Sequence, residues 1–154
     1  MKKIISILII CILLLAGCTN NSKDNNDKTK ESDIKMSNIK VTIDDKTYNL
    51  NLENNNTVEE FINLLPQEYN MNDLNGNEKY VNMDNTLSTN SYNPKHIEKG
   101  DVMLFGNNCL VIFYESFDTE YSYTKIGHID NLDDLGNGSI IAKFEKWKGS
   151  IYEI

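Results

Sequence analysis

The sequence predicts a mainly β domain that folds as a small closed barrel. Three observations lead to this prediction. Short segments alternate apolar and polar residues, as half-buried strands do, and they are separated by Asn-, Asp- and Gly-containing turns. Only one segment has clear helical periodicity. The chain of 154 residues is long enough for about one domain, and many short strands with few helices are typical of a barrel.

The first two expected strands form a hairpin. Residues 39–43 and 47–52 both alternate, and Asp44 and Asp45 form the turn between them. Asn75-Gly76-Asn77 and Gly106-Asn107-Asn108 mark further turns, and residues 84–98 read as a long polar loop. The remaining strands are expected at residues 67–74, 79–83, 101–105, 109–114, 121–129 and 139–147.

One helix is expected between the second and third strands. Thr57 followed by Glu60 has the spacing of a capping box, so the sequence predicts that Thr57 is the N-cap. Apolar residues from Val58 to Leu65 then line mainly one face, and Pro66 ends the helix. Residues 131–135 are expected to form a single helical turn that stops at Gly136.

The N-terminus has the three-part layout of a secretory signal. Lys2 and Lys3 precede an apolar run over residues 4–15, which is shorter than the ~20 residues of a membrane-spanning helix. Its end, Leu15-Ala16-Gly17-Cys18, resembles a bacterial lipobox, which implies that Cys18 is lipidated. We therefore expect a signal peptide at 1–17, a lipidated, disordered polar tether at 18–37, a folded domain at 38–154, and a location on the extracytoplasmic face of the cell membrane.

The charge of the chain excludes some partners. The net charge is −8, and removal of residues 1–17 takes away two of the 15 basic residues and no acid, leaving about −10. Nucleic acid is not expected as a partner, because phosphate binding needs a basic face. The membrane is expected to be reached through the lipid alone. Once Cys11 is removed with the signal peptide and Cys18 carries the lipid, Cys109 cannot form an internal disulfide, and we expect it to be a buried, inert thiol.

Four ordered blocks resemble the bacterial cyclophilin-like domain family. They are Leu65-Pro66 and the segments 71–80, 100–106 and 121–127, within a resemblance that covers about residues 39–147. The resemblance implies a closed eight-stranded barrel with one or two short helices at its ends. It implies no established activity, and the occurrence of relatives beside flavodoxin-like domains leaves assembly with a membrane redox partner open.

Efficient prolyl isomerisation is not expected. True cyclophilins use an arginine guanidinium on the prolyl carbonyl, and all 15 basic residues of this chain are lysine. Lysine is a poor replacement because it is a point charge on a flexible stem. A binding module without efficient catalysis is therefore favoured, and a weak extracytoplasmic peptidyl-prolyl isomerase or folding helper is the alternative.

Aromatic residues near two of the blocks are the candidate binding site. Tyrosine combines an apolar ring with a hydroxyl, which suits a groove for a peptide or small ligand, although barrel packing would use the same residues. No cofactor or metal is expected, because Glu115, Asp118 and Glu120 lack calcium-loop spacing, and His96 and His128 lack ligand partners and are expected at the surface. The candidate ligand-binding residues are Glu78, Lys79, Tyr80, Phe113, Tyr114, Tyr121 and Tyr123, with Phe117 nearby.

Overall fold

The computed structural model describes residues 36–148, which belong to the unit spanning residues 34–154. The expected signal peptide, the lipidation at Cys18 and most of the expected tether lie outside the described residues. Met36 packs against the hydrophobic core, and the Ser37 carbonyl accepts a hydrogen bond of 2.8 Å from the Leu52 amide. The described structure therefore includes the last two residues of the segment expected as tether.

Ten strands are present in the described part of the chain, and eight of them close into a barrel in the order β1-β10-β3-β4-β7-β6-β9-β2. Every neighbouring pair is antiparallel. The predicted fold class is confirmed. The strands are β1 (Asn38–Ile43), β2 (Lys46–Leu52), β3 (Gln67–Leu74), β4 (Glu78–Asn82), β5 (His96–Ile97), β6 (Asp101–Phe105), β7 (Cys109–Phe113), β8 (Phe117–Asp118), β9 (Thr124–Ile129) and β10 (Ile140–Glu145).

The barrel interior is filled by alternate side chains of the strands. In β1 these are Ile39, Val41 and Ile43, and they pack in one cluster with Leu50 of β2 and Phe144 of β10. Each fully buried aliphatic or aromatic side chain contributes about 1.5–3 kcal/mol. Burial of one face of each strand also fixes its register, because a shift by one residue would turn the apolar side chains outward.

Helix α1 (Asn56–Leu64) adds Val58 and Phe61 to the barrel core, where the Phe61 ring meets Phe144 edge-on at 5.5 Å. The prediction that Thr57 caps the helix was wrong. Asn55 is the N-cap, because its backbone is extended and its Oδ1 accepts a 2.9 Å hydrogen bond from the Val58 amide. Thr57 lies inside the first turn, and its hydroxyl instead donates to the Ser88 carbonyl at 2.8 Å.

Three local expectations also differ from the structure. The strand expected from residue 121 begins only at Thr124, and Tyr123 instead pairs with Tyr92 in an isolated bridge. Residues 131–135 form a turn and loop without a helix. The long loop contains β5, which pairs with β8 in a two-stranded sheet that the sequence did not indicate. None of the helices within residues 36–148 has the length and hydropathy needed to cross a membrane.

Candidate functional site

The outer surface of strands β4, β7 and β6 carries a second, smaller hydrophobic cluster. Leu110 and Ile112 of β7 point into the barrel, so Val111 and Phe113, which alternate with them, lie on the outside. Met103 of β6 joins Val111 and Phe113 in this outer cluster. A barrel strand buried on both faces needs a cover outside the barrel, and the loops supply it.

The cover comes from two loops that the small sheet ties together. Ile97 of β5 is fully buried in the outer cluster, and Phe117 of β8 packs against it. The ring of Phe113 lies 5.6 Å from Phe117 and 5.5 Å from Tyr123, and its contact with Tyr123 is edge-to-face. Such aromatic pairs add ~0.5–1.5 kcal/mol beyond the area they bury. The loops are therefore held on the barrel by aromatic packing.

Beside this cover the outer surface opens into a cavity of about 520 Å³, which we call the outer-face groove. Its volume lies in the range of ~300–1,000 Å³ that is common for small-molecule sites. Five aromatic residues, three other apolar or weakly polar residues and four polar residues line it. They are Tyr80, Phe105, Phe117, Tyr121 and Tyr123; Leu74, Cys109 and Val111; and Asn75, Asn77, Glu78 and Asn82.

Four of the seven candidate ligand-binding residues line the groove: Glu78, Tyr80, Tyr121 and Tyr123. Tyr121 stands at the rim with 66% of its surface exposed, and its ring is 6.1 Å from that of Phe105. Phe113 is fully buried in the outer cluster beside Val111 and Tyr123 and does not itself line the groove. The other two candidates, Lys79 and Tyr114, are not in the groove.

Lys79 and Tyr114 form a polar cluster with Asp73 away from the groove. The Lys79 side chain is fully buried, and its Nζ donates to Asp73 Oδ1 at 2.7 Å and to the carbonyls of Gly136 and Gly138 at 2.5 and 2.8 Å. The Tyr114 hydroxyl also donates to Asp73 Oδ1, at 2.6 Å. These two donors, Lys79 first, lower the pKa of Asp73, whereas burial followed by the hydrogen bond to Asp73 raises the pKa of Tyr114. The cluster joins β4 to the loop before β10.

Glu78 faces the groove, whereas Lys79, the next residue in β4, does not. Burial raises the pKa of its carboxyl, and the negative charge of Asp73 raises it further. Among the described residues, Glu78 takes part in no ion pair or hydrogen bond through its side chain. The pKa values of Cys109 and Tyr123, which also line the groove, are both raised, first by burial and second by the negative charge of Glu78.

Sequence reasoning missed Phe105 and Cys109 as parts of the groove. Cys109 was expected to be buried, but it is only partly buried because the first position of β7 points outward. Its raised pKa keeps the thiol protonated, which does not favour a nucleophilic role. Phe105 could have been found from alternation, because the inward positions of β6 are taken by Val102 and Leu104.

The histidines and the acidic loop residues lie apart from the groove lining. His96 Nδ1 is 2.6 Å from Asp118 Oδ1 at the surface, and this hydrogen bond is the main cause of the raised pKa of His96. His128 Nδ1 is 3.0 Å from Oδ1 of the buried Asp101. Within residues 36–148, no group of three or more His, Cys, Asp or Glu side chains is placed to hold a metal ion.

These features define a closed eight-stranded β-barrel with an aromatic groove on its outer face. The sequence profile of the cyclophilin-like family matches residues 41–150, which is more than half of the chain. The chain belongs to the cyclophilin-like family, as the four sequence blocks predicted. Comparisons with curated proteins and with solved structures found no match.

Proposed function

We propose that this protein is a membrane-tethered binding module that holds a peptide or small ligand in the outer-face groove. The observation that carries the proposal is the concentration of five aromatic rings around one cavity of about 520 Å³. Aromatic side chains exposed around a concave surface supply large contact areas at low entropic cost. Packing of the outer cluster accounts for Phe113, but it does not account for Phe105 and Tyr121, which leave 45% and 66% of their surface exposed.

The composition of the groove lining is the support for a proposed binding role without efficient catalysis. Its polar lining residues are one carboxylate and three amides, and the described groove lining contains no lysine or histidine. Prolyl isomerisation of the cyclophilin type uses a guanidinium, and the sequence contains no arginine. Lys79, which follows the groove-lining Glu78 in the chain, is fully buried, and its ammonium donates hydrogen bonds to Asp73 and to two backbone carbonyls.

The groove is tested by NMR of the full chain in detergent with a fragment library of mixed charge and a set of short peptides. We expect bound compounds to shift the amide signals of Tyr80, Tyr121 and Tyr123. The Tyr121→Ala variant should weaken this binding at least tenfold, because it removes the exposed rim of the groove. Tyr92→Ala is the matched control, since Tyr92 is also exposed and does not line the groove. Equal binding by parent and Tyr121→Ala would refute the assignment.

A proline-peptide isomerisation assay separates binding from the alternative function. We expect the full chain to give the uncatalysed rate, which is set by a barrier of ~18–20 kcal/mol. A rate proportional to protein concentration would establish a prolyl isomerase and overturn the view that the module only binds.

The membrane attachment is proposed from residues 1–18. The basic start, the apolar run and Leu15-Ala16-Gly17-Cys18 together support a lipid on the Cys18 thiol. Cells fed a labelled fatty acid should incorporate label into the parent protein and none into Cys18→Ala, while Cys109→Ala serves as the control. Retention of label by Cys18→Ala would show that the lipid is elsewhere.

A further inference from the structure

Glu78 is a partly buried carboxylate that has no positive partner in the described part of the chain. The lysines that form ion pairs there use other acids: Lys40 and Lys143 pair with Glu145, Lys79 with Asp73 and Lys125 with Asp101. The remaining pairs of residues 36–148 also leave Glu78 out. An unpaired charge removed from water is costly, so the groove gains from any ligand that supplies a cation.

A second acceptor in the same lining also lacks a donor. Asn77 Oδ1 is buried and has no hydrogen-bond partner. Asn77 precedes Glu78 in the chain, and both residues line the outer-face groove. Buried polar atoms without partners are rare in folded proteins. Two neighbouring acceptors without donors make the polar part of the groove complementary to N–H groups.

The aromatic walls favour the same ligand charge. Tyr80, Phe117, Tyr121 and Tyr123 line the groove together with Glu78. The faces of aromatic rings carry a negative potential and attract cations within about 6 Å of the ring centroid. The net charge of the chain is −8, which adds a field that repels anions.

We propose that the outer-face groove takes a small organic cation, an ammonium group on an apolar body. The ammonium would bind the Glu78 carboxylate and the Asn77 side chain, and the apolar body would lie against the aromatic rings. One carboxylate in the lining matches one positive charge, and about 520 Å³ matches a small molecule. The inference rests on the proposed function, since it specifies the ligand of the same groove.

Three phenylpropyl compounds of nearly equal size test the charge preference: 3-phenylpropylamine, 3-phenylpropanol and 3-phenylpropanoate. Titrated into the full chain and followed by NMR, the amine should bind at least tenfold more tightly than the alcohol, and the carboxylate should not bind. In Glu78→Gln the amine and the alcohol should bind alike, because the charge is gone and the shape is kept. Glu120→Gln is the control, since Glu120 is exposed and lies outside the groove lining.

The outcomes separate this inference from the proposed function. If the alcohol binds the groove as tightly as the amine, the charge preference is refuted and the binding function stands. If none of the three compounds binds and the mixed-charge library also leaves the groove signals unchanged, both fail. A lysine-containing pentapeptide that binds more than tenfold tighter than the amine would replace the small cation by a peptide and overturn the choice of occupant.

Discussion

Replacement of Lys79 by methionine tests whether the lysine supports the barrel or the groove. Methionine keeps an unbranched side chain but removes the ammonium. The substitution deletes the hydrogen bonds to Asp73 and to the carbonyls of Gly136 and Gly138, and it removes the cation above the Tyr114 ring at 4.7 Å. We expect Lys79→Met to lower the free energy of unfolding and to leave ligand binding in the groove unchanged.

The expected loss of unfolding free energy depends on how the three acceptors of Lys79 are satisfied once the ammonium is gone. A hydrogen bond to a charged group contributes about 1.5–3 kcal/mol. Gly136 and Gly138 lie in exposed loop positions, so water can replace part of what their carbonyls lose. Methionine also avoids the cost of burying an ammonium. The surviving loss is therefore close to that of one or two charged hydrogen bonds, about 2–4 kcal/mol.

Urea unfolding followed by circular dichroism measures this loss, and Lys143→Met is the control. Lys143 pairs with Glu145 but is 43% exposed, so its substitution should change the free energy by less than about 1 kcal/mol. The reasoning would be refuted if Lys79→Met were as stable as Lys143→Met. It would also be refuted if folded Lys79→Met lost binding of an amine that the parent protein binds.

Three further substitutions probe the cap, the barrel wall and the surface histidine. Asn55→Ala should cost about 1 kcal/mol in urea unfolding, because it removes the N-cap of α1. Gly127→Ala should lower stability by about 3 kcal/mol or prevent folding, since its Cβ would lie 2.1 Å from the carbonyl oxygen of Asn51, and soluble yield and thermal melting measure this. The hydrogen bond to Asp118 raises the pKa of His96. The small stabilisation that this bond gives the folded protein should be full below the unfolded pKa of ~6.5 and lost as the pH rises through the folded pKa. The melting temperatures of the parent and of His96→Gln should therefore converge at alkaline pH.

Each of these expectations has a clear contrary result. An Asn55→Ala protein with parental stability would mean that the helix start is held by other contacts. A fully stable Gly127→Ala would mean that β2 and β9 can separate without cost. A difference between parent and His96→Gln that stays constant across pH would exclude titration of His96 as its source.

The barrel could be predicted because the alternation of apolar and polar residues within a strand indicates which of its faces is buried. Alternation in residues 39–43 and the turns at Gly76 and Gly106 need no knowledge of distant residues. The start of β9 could not be predicted in this way, because Tyr121 to Tyr123 alternate like a strand while Tyr123 pairs with Tyr92 in the loop. Long-range pairing of this kind has no local signal.

Four of the seven candidate residues chosen from the sequence line the groove, and three do not. Glu78 and Lys79 are adjacent in one strand, so they cannot both face the groove. A lysine is usually placed outside a barrel, and its inward position here depends on partners far away in the sequence, the carbonyls of Gly136 and Gly138. Glu78 thus faces the groove and Lys79 the barrel interior, and no local pattern indicates which of the two points inward.

Side chains along β4, β6 and β7 alternate between the barrel interior and its outer face, where the groove lies. The groove-lining positions of these strands are Glu78, Tyr80 and Asn82 in β4, Phe105 in β6, and Cys109 and Val111 in β7, and residues adjacent to them fill the barrel. A library varied only at Tyr80 and Phe105 would therefore change the lining of the groove and leave the packing of the barrel core intact. The groove lining can thus change without a change of fold.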